Sequence, residues 1–386
     1  MRIAIARQRY NPFGGAERFV DRALAALARE GAEVTLIARQ WAGSVEACGG
    51  YQLLTCAPSY RTRVGRDRGF AACVQAAMGE GHFDLVQSHE RIPGCTLYRA
   101  GDGVHAAWLE HRARILPAWK RWAQYADPYH RYLLRAEREM FEHPDLRAVI
   151  CNSRLVQDEI VERFGLPREK LPIIRNGVDL QAFHPSLAER YRQPQRAAHG
   201  IGPEETVFLY VGSGFERKGV PQLLRAFAAL KAPARLVVVG ADRHLEGAKR
   251  LARDLGIASR TLFTGPVTDV KPWYGAADVF VLPTLYDPFP NAALEAMACG
   301  LPVVTSRACG ISELIEPGRN GFILDALDVS AWSEVLERLA DPSNHHVLMG
   351  DEARAAVADL SLESLAEELL TLYRQLLIPL NGGGRA

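Results

Sequence analysis

Short runs of β-branched and aliphatic residues alternate along the chain with longer stretches whose apolar positions recur every three or four residues. A strand-length run followed by an amphipathic helix, repeated, predicts a parallel sheet covered on both faces, because each crossover brings the chain back to run the same way. In the first half the pattern predicts strands at residues 2–6, 33–38, 51–55, 83–87, 148–152 and 171–174. A helical pattern at 16–30 ends at Gly31, where glycine adopts the left-handed turn that closes a helix. A second series of strands is predicted at 206–211, 235–239, 261–263, 278–282, 302–305 and 322–324. Between the series, residues 176–203 hold Pro185, Pro194, Gly200, Gly202 and Pro203 and show periodicity only over 187–196, so they read as an interdomain linker. The expected architecture is α/β: two doubly wound, Rossmann-like parallel-sheet domains at 1–180 and 181–361.

Composition fits this picture: 386 residues, 48% hydrophobic and 24% charged, suffice for two cores. No apolar run approaches the roughly 18 to 20 residues of a membrane-spanning helix. The segment from Met1 to Arg7 is too short and too early-charged for a secretory signal, so a cytoplasmic location is expected. Cysteines 48, 56, 73, 95, 151, 299 and 309 are odd in number and form no Cys-x-x-Cys pair, which predicts buried free thiols rather than a disulfide framework or zinc site. The net charge of +1 hides an asymmetry: residues 1–175 carry 26 Lys and Arg against 20 Asp and Glu, and the remainder 20 against 25. The basic half is expected to meet something anionic.

Glycine turns after strands are the first candidate chemistry. Gly14 and Gly15 follow the first strand and precede a helix, where a backbone without Cβ could approach a bulky anion; a double glycine alone serves a plain turn equally well. After strand 206–211 the chain reads Gly212-Ser213-Gly214-Phe215-Glu216-Arg217-Lys218-Gly219. A forked guanidinium beside a compact ammonium at a helix entrance suits a diphosphate, and a solvated pair capping a turn is the alternative. Neither loop reads Gly-x-Gly-x-x-Gly with an acidic strand end beyond, which disfavours a dinucleotide dehydrogenase. Further on, Asp287 precedes a helix predicted over 291–299 that carries Glu295. Glu295 stands among Ala292, Ala293, Leu294, Ala296 and Met297, a setting in which its carboxylate needs a hydroxyl or a cation, and a diol would serve.

Phe13-Gly14-Gly15, Arg217-Lys218-Gly219, and Asp287-x7-Glu295 running into Ala296-Met297-Ala298-Cys299-Gly300-Leu301-Pro302-Val303 together resemble the retaining glycosyltransferases of family 4. The resemblance spans nearly the whole chain and is strongest to the lipopolysaccharide core heptose α-1,3-glucosyltransferases, which use UDP-glucose. It implies the GT-B fold, two Rossmann-like domains facing across a cleft, with a C-terminal helix at 362–378 packing back on the first domain. It further implies that Arg217 and Lys218 bind the donor pyrophosphate, Glu295 the ribose hydroxyls and Asp287 the transferred sugar. Gly14 and Gly15 would close on the diphosphate from the other domain, Gly214 would belong to the donor site, and amides near Phe289 and Asn291 would complete the cradle. The usual first Glu of the motif is Asp287 here, and Pro290 replaces the usual glycine, removing one N–H.

Carried forward, these readings predict transfer of glucose from a UDP-sugar to a heptose or similar sugar of a lipid-linked lipopolysaccharide core acceptor. No Asp-x-Asp pair occurs, so no metal and no cofactor is expected; the nucleotide sugar is a substrate. Asp102 and His105, in Gly101-Asp102-Gly103-Val104-His105, are further catalytic candidates on the first domain, though a lone histidine after a strand is often structural. Residues 108–141 interleave Trp108, Trp119, Trp122 and several tyrosines with Lys120, Arg121 and further arginines. Such a segment suits an interfacial helix on the anionic inner face of the plasma membrane, or a helical hairpin broken near Pro117 and Pro128 whose aromatics pack on the core. No nucleic-acid partner is expected. Two rivals stand beside this reading: a family 4 enzyme using UDP-GlcNAc or a GDP-sugar, and a catalytically silent nucleotide-binding scaffold.

Overall fold

The computed structural model describes residues 2–10, 31–41, 51–341 and 346–377. The chain divides into two compact units, one formed by Met1–Gly177 with Leu362–Ala386, the other by Val178–Ser361.

The first unit is built on strands β1 (Arg2–Tyr10), β2 (Glu33–Trp41), β3 (Tyr51–Thr55), β4 (Leu85–Ser88), β5 (Leu97–Arg99) and β6 (Ala148–Ile150), in the order β3-β2-β1-β4-β5-β6. Every strand pair is parallel. Ile3, Ile5, Val34, Leu36, Leu85 and Leu97 are buried in one cluster with Leu362, Leu365, Leu369, Leu372 and Tyr373 of the helix Leu362–Leu377. Those helix positions recur at three- and four-residue steps, so one stripe meets the sheet. The Tyr373 hydroxyl donates to Gln87 Oε1 at 2.6 Å inside this core.

The second unit repeats the plan with β7 (Thr206–Val211), β8 (Ala234–Val239), β9 (Thr261–Gly265), β10 (Val279–Leu282), β11 (Val303–Ser306) and β12 (Gly321–Leu324), ordered β12-β11-β10-β7-β8-β9 and parallel throughout. Counted from its own first strand, each sheet has the doubly wound order 3-2-1-4-5-6. The direction in which successive strands are added reverses between the first and fourth strands, and the crevice at the strand ends there is where such sheets bind ligands.

Three expectations change. The run 171–174 makes only an isolated bridge, Ile173 to Cys151, because no further ladder partner continues it. The stretch read as a linker folds into the second unit: helix Ser186–Ala198 lies on helix Lys271–Ala276, and Arg196, only 3% exposed, donates to Ala276 O at 2.9 Å and to Asp278 Oδ2 at 2.6 Å. A buried face that contains a charged residue blurs the apolar period. Finally, Cys56 and Cys73 form a disulfide, with Cα atoms 5.8 Å apart across 17 residues of sequence, which corrects the expectation of free thiols throughout. Sequence spacing carried no sign of it, since only the fold brings the end of β3 to the helix Arg63–Gly81. Cys95, Cys151, Cys299 and Cys309 are free and buried. Gly31 has φ +76°, while the helix predicted before it lies outside the described residues.

Candidate active site

In the second unit the switch point lies between β7 and β10, which pair directly. The segments leaving these strands, 212–219 and 283–290, are therefore neighbours, and their backbones are joined: Leu285 N–H donates to Arg217 O at 2.8 Å, and Thr284 Oγ1 to the same oxygen at 3.2 Å. The turn needs its glycines. Gly219 has φ +77°, and a Cβ there would land on the Pro283 carbonyl oxygen; at Gly212 a Cβ would meet Lys218 Nζ at 3.2 Å. Lys218 thus lies across Gly212, and its own N–H donates to Gly214 O at 2.8 Å. Phe215 is buried under the loop, edge-on to Tyr210, and its N–H donates to Asp242 Oδ2 at 2.6 Å.

Two cations converge on one oxygen. Arg217 Nη1 lies 3.2 Å and Lys218 Nζ 3.3 Å from Asp287 Oδ2. Arg217 Nη1 also donates to Tyr286 O at 2.6 Å. The Asp287 side chain is 9% exposed, Lys218 14% and Arg217 36%, so the guanidinium holds the outer side of the cluster. Asp287 is itself fixed by its backbone: its N–H donates to Ala308 O at 3.0 Å, and its carbonyl accepts from Gly310 N–H at 2.9 Å.

Glu295 lies on the helix Asn291–Ala298, which begins after Pro290 in an extended conformation. Its Oε2 accepts from the Tyr274 hydroxyl at 3.0 Å, and that hydroxyl lies 3.0 Å from Ala292 O as well. Tyr274 is 1% exposed; burial, then the nearby Glu295 carboxylate, pushes its pKa well above the ordinary phenol value, so it stays a neutral donor. Glu295 is half-buried, Asn291 is half-buried at the helix start, and the Phe289 side chain is packed in the core. Tyr274 and Asp242 went unpredicted, because each lies on a different element from the motif it supports and neither sits in a recognisable pattern.

The first unit presents its own switch point, between β1 and β4. A cavity of about 310 Å³ opens there, lined by Arg9, Arg66, Asp67, Glu90, Arg91 and Asp102, with Tyr129 and Tyr132 beside them. Asp67 joins three elements: it accepts from Gln8 Nε2 at 3.0 Å, Arg66 Nε at 2.6 Å and the Tyr129 hydroxyl at 3.0 Å. Burial raises the pKa of this carboxyl, but the three hydrogen bonds outweigh it and hold the group below its ordinary value. Burial raises that of Glu90. Asp102 is exposed at the cavity, whereas His105 is buried behind it. The His105 ring nitrogen Nε2 lies 3.1 Å from His130 Nδ1, and the His105 backbone N–H donates to Glu137 Oε1 at 2.8 Å. Burial, then Arg91 and His130, pull the His105 pKa down to about 3. Gly14 and Gly15 lie outside the described residues.

The basic aromatic segment forms three helices, His105–Ala113, Ala118–Ala126 and Pro128–Phe141, with breaks at Pro117 and Asp127. Its aromatics divide. Phe141 is buried against Tyr98, and Tyr129 lies under the Arg63 guanidinium. Trp108 is half-buried, but Trp119 and Trp122 are 68% and 76% exposed. Within Ala118–Ala126 the one buried side chain is Gln124, which donates to Leu109 O, so this helix turns its indoles outward. Lys120 Nζ lies 5.1 Å from the Trp119 ring, and Arg121 Nε donates to Leu116 O. No described helix is long and apolar enough to cross a membrane.

Residues 13–182 match Glycosyltransferase Family 4, and residues 192–356 match the glycosyl transferases group 1 family. The D-inositol 3-phosphate glycosyltransferase of Mycobacterium marinum is 30% identical over 328 residues, covering 82% of this chain and 69% of that protein. The lipopolysaccharide glucosyltransferase WaaG of Escherichia coli is 26% identical over 374 residues, covering 95% of this chain and 97% of its own. A crystal structure of WaaG, a glycosyltransferase involved in lipopolysaccharide biosynthesis, superposes with a TM-score of 0.82 at 25% identity, over 96% of this chain and 99% of the other. An Anabaena protein solved in complex with UDP shares the fold at a TM-score of 0.71 and 21% identity, over 97% of this chain and all of the other.

Proposed function

The chain belongs to the glycosyltransferases of family 4, with the GT-B fold, and from that premise we propose that it moves glucose from UDP-glucose to a sugar of a lipid-linked lipopolysaccharide core acceptor, with retention at the anomeric carbon. The observation that carries the reading is the convergence of Arg217 and Lys218 on one Asp287 oxygen at the switch point of the second sheet. Two cations that reach one carboxylate oxygen can reach one oxygen of a diphosphate. Asp287, released from them, faces the sugar hydroxyls. The helix Asn291–Ala298 begins beside this point, and its dipole favours the same anion. Glu295, oriented by the Tyr274 hydroxyl, accepts from the ribose hydroxyls.

In the reaction the bond between the anomeric carbon and the β-phosphate oxygen breaks, and the acceptor hydroxyl oxygen bonds to the same face of that carbon. The hydroxyl proton passes to the departing phosphate. Charge grows on that phosphate as the bond lengthens, so fixed cations stabilise the transition state more than the ground state. This is a metal-independent route. The cavity of the first unit, with carboxylates and tyrosines around it, is the acceptor site. The outward indoles of Trp119 and Trp122, beside Lys120 and Arg121, rest on an anionic bilayer at the cytoplasmic face of the plasma membrane, where a lipid-linked acceptor is anchored.

One observation favours a second reading, transfer to a small phosphorylated polyol: the cavity wall carries the guanidiniums of Arg9, Arg66 and Arg91. Parallel transfer assays with a core-oligosaccharide lipid and an inositol phosphate separate the two. Lys218→Ala is expected to lower kcat roughly 10²- to 10³-fold, the cost of losing one preorganised transition-state contact, with little change in acceptor KM. EDTA should leave the wild-type rate intact; abolition of transfer would overturn the metal-independent route.

A further inference from the structure

The Cys56–Cys73 disulfide lies where it can act on the acceptor-side cavity. Cys56 is buried at the end of β3, its N–H bonded to Ala38 O at 2.8 Å, so this end of the crosslink is anchored to the sheet. Cys73 is half-buried on the helix Arg63–Gly81. The same helix supplies Arg66, Asp67, Phe70 and Ala71 to the cavity wall. Its apolar burial is limited: over 19 residues its buried side chains are Phe70, Ala71 and Val74, and polar ties such as Gln75 to Pro93 O and Asp67 to Gln8 and Tyr129 supply the rest. The segment leading into it lies against it, since a Cβ on Gly69 would approach Pro58 Cγ to 3.0 Å. Asp67, two turns before Cys73, carries the bonds to Gln8 and Tyr129 that set the cavity's shape.

We propose that the Cys56–Cys73 disulfide is a redox-responsive clasp that holds the helix Arg63–Gly81 in place as the cavity wall, so that opening it lowers affinity for the acceptor. The acceptor part rests on the reading of that cavity given above. Opening takes a dithiol reductant. One of its thiolates attacks Cys73 Sγ, on the more exposed residue, breaking the S–S bond and releasing Cys56 as a thiolate that takes a proton. The second thiol then displaces Cys73, which is also protonated, and the reductant leaves as its disulfide with the loss of two electrons. The other described thiols do not compete readily, because burial pushes Cys95, Cys151 and Cys309 up to about 12 and Cys299 higher still.

The test compares full-length protein before and after treatment with a dithiol, with alkylation at Cys56 and Cys73 mapped by mass spectrometry and amide exchange followed over 63–81. Both cysteines should be protected from alkylation until the dithiol is added. Exchange over 63–81 should then quicken about five-fold or more as local opening becomes easier, while Val220–Ala228 of the second unit stays unchanged. Acceptor KM should rise by a similar factor, with donor KM and slow donor hydrolysis unaltered. Reoxidation should reverse both effects, which keeps the test valid even if Cys56→Ser with Cys73→Ser fails to fold. Alkylation of both cysteines without reductant, or unchanged exchange after reduction, overturns the clasp. Quickened exchange with an unmoved acceptor KM overturns its effect on the acceptor. The exchange arm needs no substrate, so it decides the clasp even if no transferase activity is found.

Discussion

Asp287 and Glu295 sit eight residues apart, yet different neighbours hold them: cations from the loop after β7 hold the first, and a tyrosine from the helix Lys271–Ala276 holds the second. Removing the Tyr274 hydroxyl takes a buried hydrogen bond from Glu295. Tyr274→Phe should therefore raise donor KM several-fold and cost about 1 to 2 kcal/mol of stability, read as KM against kcat and as a urea midpoint. The motif residues were legible because charged groups after a glycine turn are unusual; Tyr274 was not, because a tyrosine inside an apolar segment carries no mark of its partner. Protonation acts at this scale too. His105 is held down to about 3, and burial lowers His89 and His130 as well. The unfolded chain binds these protons near pH 6.5, so their contribution to stability is fully present above that pH. It is lost as pH falls toward the lowered native values. Urea midpoints measured at pH 7.5, 5.5 and 4.5 should fall with acidity, and His105→Asn should flatten the trend.

Among the elements, the helix Ala118–Ala126 is set apart by turning its aromatic side to solvent. Its sequence showed the tryptophans and the breaks around them, but not which way they faced, since inward packing and outward docking require the same residues. Exposure decided the orientation: in Ala118–Ala126 only Gln124, bonded to Leu109 O, is buried, and Trp119 and Trp122 stand in solvent with Lys120 and Arg121. Trp119→Ala with Trp122→Ala should leave the unfolding midpoint within about 0.5 kcal/mol of wild type, as surface changes do. Binding to vesicles of anionic phospholipid should drop at least about ten-fold, read by co-sedimentation. An equal loss of stability would place the indoles in the core instead.

At the scale of the whole molecule, the chain leaves the first unit at Gly177 and returns to it at Leu362. The returning helix buries Leu362, Leu365, Leu369, Leu372 and Tyr373 against the first sheet. At about 1.5 to 3 kcal/mol for each large side chain, that burial rivals the entire stability of a domain. A chain ending at residue 361 should lose the cooperative unfolding of the first unit. The second unit should keep a transition that shifts upward with UDP, and thermal melts with and without the nucleotide separate the two outcomes.

The alternation of apolar runs and amphipathic stretches determined two parallel sheets and nearly all their strands, because the two-residue and 3.6-residue periods are local properties of a chain. Residue chemistry in the loops after β7 and β10 likewise singled out Arg217, Lys218 and Asp287, which cluster and are proposed above to meet the diphosphate. Only tertiary structure decided that Tyr274 holds Glu295 and Asp242 holds the loop after β7, that Ser186–Ala198 packs as a helix on Lys271–Ala276 rather than serving as a linker, that Cys56 meets Cys73, and that two tryptophans face outward. Each of these is a contact or an exposure set by packing between segments distant along the chain, and no local period encodes it.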